Sequence, residues 1–100
     1  MPDSLPAGSV GPLSTGVSVQ LVYLARLREA FDRPGERLTL PSGANVSALL
    51  EALRARGEPW SRELAAGRAF RVAVNHDIAT GGAMLRDGDE VAILPPVTGG

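Results

Sequence analysis

The sequence predicts an α+β fold: a mixed sheet packed on one main helix. Strand-like runs stand near both ends of the chain, VSVQLVYL from Val17 and EVAIL from Glu90. One long amphipathic helical stretch lies between them, from Val46 to Arg56. The chain has 100 residues, of which 44% are hydrophobic, enough for one core and one domain. Strands covered on one face by one helix form an α+β roll.

Residues 1–16 are rich in Pro, Gly and Ser and lack periodicity, so they read as a flexible N-terminal extension. Val17–Leu24 is the first strand. Its polar Gln20 sets the parity, with Val19, Leu21 and Tyr23 facing the core and Gln20, Val22 and Leu24 facing away. Ala25–Phe31 is a short helical turn, broken by Arg33-Pro34-Gly35. Glu36–Leu40 is the second strand, ended by Pro41-Ser42-Gly43. Asn45 is suited to N-cap the main helix, whose Val46, Leu49, Leu50 and Leu53 fall at i, i+3, i+4 and i+7. Gly57 supplies its stop. Pro59–Ala66 reads as another short helix, with Trp60 as cover for the core.

Ala69–Val74 is the third strand, with Phe70, Val72 and Val74 inward. Asn75-His76-Asp77 turns the chain into a brief pairing at Ile78-Ala79. Arg86-Asp87-Gly88-Asp89 is a strong turn signal. Glu90–Leu94 is the last strand, with Val91 and Ile93 inward. Pro95 has no amide hydrogen and ends the ladder. The division is therefore an extension over 1–16, a domain over 17–94 and an extended tail over 95–100. Pairing the first and last strands in parallel at the sheet centre would complete a β-grasp, the ubiquitin-like arrangement. Periodicity suggests the elements but does not establish that pairing.

Composition excludes several classes of function. A net charge of -1 with interspersed signs offers no basic stripe to nucleic acid. No apolar run approaches the roughly 20 residues of a membrane helix, and the N-terminus lacks the lead of a signal peptide. A cytoplasmic location is the default. Without cysteine there is no disulfide, thiolate metal site or cysteine nucleophile. The single His76 cannot form a metal cluster alone. All ten basic residues are arginine, so no side-chain amine exists for an isopeptide bond or a Schiff base. Asp87 and Asp89 lack the spacing of a calcium loop and read as a turn. Arg26 and Arg28 are either partners for acids on another protein or ordinary solvated arginines.

The tail carries the chemistry. Pro95 and Pro96 favour a stiff, extended exit from the sheet. Pro95, Pro96, Val97, Thr98, Gly99 and Gly100 reach at most about 20 Å when extended. Gly99 and Gly100 carry no side chains, so the end can thread a channel that any Cβ would block. A carboxylate is a poor electrophile, but its mixed anhydride with AMP is reactive. A sulfur donor then yields a thiocarboxylate, –C(O)SH, which carries one sulfur atom without cysteine. Strand parity also predicts a docking face away from the helix. There Val22, Leu24, Ala73, Ala92 and Leu94 project beside Gln20, Arg71 and Glu90, and Ile78 joins them.

From Val17 to Gly100 the chain resembles the small, sulfur-carrying subunit of molybdopterin synthase, in the ubiquitin-like sulfur-carrier family. The resemblance rests on VYLARLREA, VNHD and LRDGDEVAILPPVTGG, the last being the most specific. It implies a β-grasp fold and no stably bound cofactor. It also implies that an ATP-dependent, ubiquitin-activating-like adenylyltransferase adenylates Gly100, which is then thiocarboxylated. The charged tail would enter the large synthase subunit, in a heterotetramer, and pass sulfur to cyclic pyranopterin monophosphate. In this family the catalytic side chains lie on the large subunit, so the chain is a carrier and not a stand-alone enzyme. Neither nucleic acid nor membrane is implied as a partner. A thiamin-pathway sulfur carrier and a ubiquitin-like protein modifier share the same terminal chemistry and remain alternatives.

Overall fold

A computed structural model describes residues 16–95. Along the chain run β1 (Gly16–Tyr23), α1 (Arg26–Ala30), β2 (Gly35–Pro41), α2 (Val46–Arg54), α3 (Trp60–Glu63), β3 (Arg71–Val74), β4 (Asp77–Ile78) and β5 (Glu90–Leu94). The five strands form one sheet in the order β2-β1-β5-β3-β4. β1 and β5 pair in parallel at its centre, Leu21 opposite Val91 and Tyr23 opposite Ile93. Every other pairing is antiparallel. This is the β-grasp arrangement, and α2 packs on one face of the sheet.

The expected parity holds along β1 and β5. Val19, Leu21, Tyr23, Val91 and Ile93 are buried on the helix side, against Leu49 and Leu53 of α2. Burial of this size is the main stabilising term, on the order of 1.5–3 kcal/mol for each large aliphatic side chain. α2 starts where expected because its first amide groups all find acceptors. Asn45 Oδ1 accepts from the Ala48 N–H at 2.9 Å. The 79–85 loop supplies the Ala83 carbonyl to Val46 N–H and the Gly81 carbonyl to Ser47 N–H, at 3.0 and 2.9 Å. Gly81 approaches α2 closely there: a Cβ on it would meet Ser47 Oγ, which would have to turn aside.

Several boundaries differ from the sequence expectation. α2 ends at Arg54, two residues early, because Arg56 and Gly57 donate to the carbonyls of Leu53 and Arg54 three residues back and tighten the last turn. Gly57 then leaves the helix at φ 90°. The following helix is confined to Trp60–Glu63. β3 starts at Arg71, so Phe70 precedes the strand and is only half-buried. Leu50 is likewise only half-buried at the edge of the helical stripe.

One polar network closes the open end of the core. Tyr23 Oη, on a fully buried side chain, donates to Glu36 Oε2 at 2.7 Å. Arg56 grips the same carboxylate through both terminal nitrogens, at 2.7 and 3.0 Å, and Arg33 adds a contact at 3.2 Å. Trp60 stacks on Phe31 with ring centroids 3.9 Å apart, and the Arg56 guanidinium lies 4.6 Å from the Trp60 ring centre. The Arg56 bonds come first in holding the Glu36 carboxyl below its ordinary range. Burial, then the adjoining carboxylate, push the Tyr23 phenol upward.

These shifts predict two limbs of pH dependence. Glu36 is depressed in the fold, so its contribution is complete above the ordinary value of 4.5 and is lost as pH falls below it. Tyr23 is raised in the fold, so its contribution is complete below the ordinary value of 10.0 and declines as pH rises beyond it. Urea denaturation across pH should show Tyr23→Phe losing about 1–2 kcal/mol near neutrality. The same variant should lack the part of the alkaline decline above pH 10.0 that Tyr23 causes.

Candidate docking face

The strand register arranges the outer face, away from α2, into rows. Gly35, Val22, Ala92, Ala73 and Ile78 stand opposite one another across all five strands. Gly35 permits the crossing of β2 and β1, since a Cβ there would run into the Leu21 carbonyl oxygen. Arg37, Gln20 and Glu90 form the polar row on one side. On the other side Leu94 faces Arg71 across the ladder, and Leu24 N–H donates to the Ile93 carbonyl at 3.2 Å.

This pattern creates a hollow of about 300 Å³ lined by Val22, Leu24, Ala73, His76, Glu90, Ala92 and Leu94. Its origin is steric. Ala73 and Ala92 are neighbours on β3 and β5, and their short side chains leave a floor below the bulkier residues around them. Val22, Leu24, Ala92 and Leu94 are half-buried and Ala73 is buried. A concave apolar surface with a polar margin is suited to receive an apolar side chain from another protein.

Of the residues assigned to docking from sequence, the structure gathers Val22, Leu24, Ala92 and Leu94 around one hollow. Ile78 shares their face by register but stands at the sheet margin, 62% exposed, outside the hollow. Pro95 follows β5 directly and is half-buried. Pro96, Val97, Thr98, Gly99 and Gly100 lie outside the described residues. Leu94, the last residue of β5, is both a wall of the hollow and one residue from the start of the tail segment.

His76 sits in the turn that the sequence predicts at Asn75-His76-Asp77. It is 87% exposed, yet it also lines the hollow, with Nε2 3.2 Å from Glu90 Oε1. Asn75 and His76 both adopt positive φ, 50° and 77°, as a two-residue hairpin requires. That turn was the available signal for a side chain carried back over the sheet. Asn75 fixes the turn to β5: its Nδ2 donates to Asp89 Oδ1 at 2.9 Å and its Oδ1 accepts from Glu90 N–H at 3.0 Å. Asp87 Oδ1 accepts from Ser18 N–H at 2.7 Å, and Asp89 Oδ2 accepts from Arg86 N–H at 2.8 Å. These carboxylates tie loops together. No group of three metal-ligating side chains occurs among the described residues.

Arg26 is committed within the chain. Its Nη2 lies 2.6 Å from Oε1 of Glu63, which is 8% exposed and also meets Arg62 at 3.6 Å. Arg28 is exposed and takes no part in the ion pairs among the described residues. No helix among these residues is long and apolar enough to cross a membrane.

Comparison with known proteins places this geometry. The ThiS family model matches residues 21–100. The molybdopterin synthase sulfur carrier subunit of Mycobacterium tuberculosis is 34% identical over 85 residues, which are 84% of this chain and 99% of that protein. A solved structure described as the putative molybdopterin converting factor, subunit 1, from Pyrococcus furiosus aligns with a TM-score of 0.71 at 32% identity. That alignment covers 81% of this chain and 99% of the other. SAMP1, the small archaeal modifier protein 1 of Haloferax volcanii, aligns with a TM-score of 0.70 at 29% identity, covering 83% of this chain and 99% of its own.

Asn75→Ala should lower unfolding stability by about 1–2 kcal/mol, through two lost side-chain bonds and a less favourable positive φ. Chemical denaturation measures the loss. Amide exchange should quicken at Glu90, whose N–H loses its acceptor, more than in α2.

Proposed function

The chain belongs to the ThiS family, and from that premise we propose that it is the sulfur carrier of a molybdopterin synthase, acting through Gly100. The observation that carries this reading is the position of Leu94. The strand that leads to the tail also builds the hollow, so a partner seated on the outer face holds the tail segment at its root. The relatives named as sulfur carrier subunits point to the molybdenum pathway over the thiamin one.

In the first stage the Gly100 carboxylate attacks the α-phosphorus of ATP, bound by an adenylyltransferase, and pyrophosphate leaves. A sulfur nucleophile then attacks the acyl carbon and expels AMP, leaving the thiocarboxylate. In the second stage the carrier docks on the large synthase subunit in the cytoplasm, and the thiocarboxylate delivers its sulfur to cyclic pyranopterin monophosphate. Sulfur bonded to the substrate in this way is a thioester, and water attacks its acyl carbon, breaks the acyl carbon–sulfur bond, leaves the sulfur on the substrate and returns the carboxylate for another cycle. Two docked carriers on a dimer of large subunits give a heterotetramer. The β-grasp domain supplies binding and orientation. Gly99 and Gly100 leave the acyl carbon open to attack, and Pro95 and Pro96 stiffen the tail.

The likeness to SAMP1 favours a second reading, attachment of the tail to amines of other proteins. Because the chain has no lysine, lysine-linked polymers of itself are excluded, while attachment of one copy to another protein is not.

Incubation with a cognate activating enzyme, ATP and a sulfur donor should raise the intact mass by the exchange of one oxygen for one sulfur. Gly100→Ala should remain folded and reduce molybdopterin formation; an unchanged yield contradicts the proposal. Leu94→Arg should weaken binding to the large subunit by about tenfold or more, through a charge set against an apolar contact, while stability changes little. Calorimetric titration beside a urea melt separates the two effects.

A further inference from the structure

A second groove, of about 270 Å³, lies at the β3–β4 margin of the sheet beside α2 and shares no residue with the outer-face hollow. Val46 and Leu50 of α2 form one wall, and Phe70, Val72, Ile78 and Ala79 form the other. Arg71 is the only charged residue in its lining, and it takes no part in the ion pairs among the described residues.

The backbone beside this groove is open. Asn75 N–H donates to the Glu90 carbonyl at 2.8 Å, so odd-numbered residues of β3 turn their peptide groups to β5 and even-numbered ones turn theirs outward. β4 covers little of that outward edge, because it has only two residues. Ala79 N–H reaches the Val72 carbonyl at 2.8 Å. The Val72 N–H and both peptide groups of Phe70 have no backbone partner among the described residues. Unpaired donors and acceptors along the margin of a sheet form a template for another strand. Here the template lies next to an apolar groove in which alternate side chains of an added strand would sit.

We propose that this edge binds an extended peptide segment of another protein by strand addition. Alternate aliphatic side chains of that segment enter the groove between α2 and β3, and an acidic residue pairs with Arg71. The partner is specified by three features together: free peptide groups for its backbone, an apolar channel for its side chains and one uncommitted cation for its charge. Such a segment covers no residue that lines the hollow, so a carrier engaged through the hollow can hold both partners at once. The inference does not depend on the sulfur-carrier reading, because neither Gly100 nor any residue lining the outer-face hollow takes part.

The test is titration of the isotopically labelled full chain, followed by NMR, with a heptapeptide that alternates valine with serine and ends in two aspartates. Saturable shifts below about 1 mM peptide, centred on Phe70, Arg71, Val72 and Ala79, are expected. A matched peptide ending in two lysines should bind about fivefold more weakly, and Arg71→Glu should reverse that order. Arg71 is exposed and takes no part in the ion pairs among the described residues, so the reversal is a readout separate from folding. Absence of saturation, equal affinity for the two peptides, or shifts centred on Val22, Ala92 and Leu94 would overturn the proposal. Two results without peptide would overturn it as well. Concentration-dependent shifts at Phe70 and Ala79 would assign the edge to a second copy of the chain. Contacts from Leu5, Val10 or Leu13 to Phe70 would assign it to the chain's own N-terminal segment.

Discussion

The parallel pairing of β1 with β5 is the constraint on which the rest of the domain depends. It joins the two ends of the described fold at the sheet centre and sets Leu21 against Val91 and Tyr23 against Ile93 over the core. The same register places Val22 beside Ala92 on the other face. Because side chains alternate, a slip of one residue would bury the outer row and expose the core row. One ladder therefore determines both the stability of the domain and the surface it presents.

Each end of that central pair is secured by a different device. At the end where β1 starts and β5 begins, Asp87 accepts from Ser18 N–H, Gly88 N–H reaches the Ser18 carbonyl, and Asn75 joins the β3–β4 turn to Asp89 and Glu90. These are local, mostly exposed hydrogen bonds. At the other end Tyr23, Glu36 and Arg56 form a satisfied polar network against Trp60 and Phe31. A partly buried carboxylate is tolerated there because three donors meet it, and removing one would leave costly unpaired groups. The segment after β5 thus starts from a strand whose two ends are both tied into the fold.

The two surfaces differ in physical character. The outer face is a shallow apolar basin made by two alanines among larger neighbours, with peptide groups already paired within the ladders. Recognition there depends on side-chain shape. The β3 margin combines apolar walls with unpaired peptide groups, so recognition there includes backbone hydrogen bonding. The separation is a direct result of β4 being only two residues long.

Parity, the N-cap at Asn45 and the turn around Asp87-Gly88 were all legible in the amino-acid sequence, because each depends on residues close along the chain. Val22, Leu24, Ala92 and Leu94 could be assigned to one face for the same reason. Tertiary structure alone decided that β1 and β5 are parallel neighbours, that Ala73 and Ala92 adjoin to make a floor, and that His76 returns over it. It also decided that Arg26 is committed to Glu63 and that Ile78 stands outside the hollow. These facts are set by pairings between distant parts of the chain, where local periodicity records which face a residue takes but not which strand lies beside it.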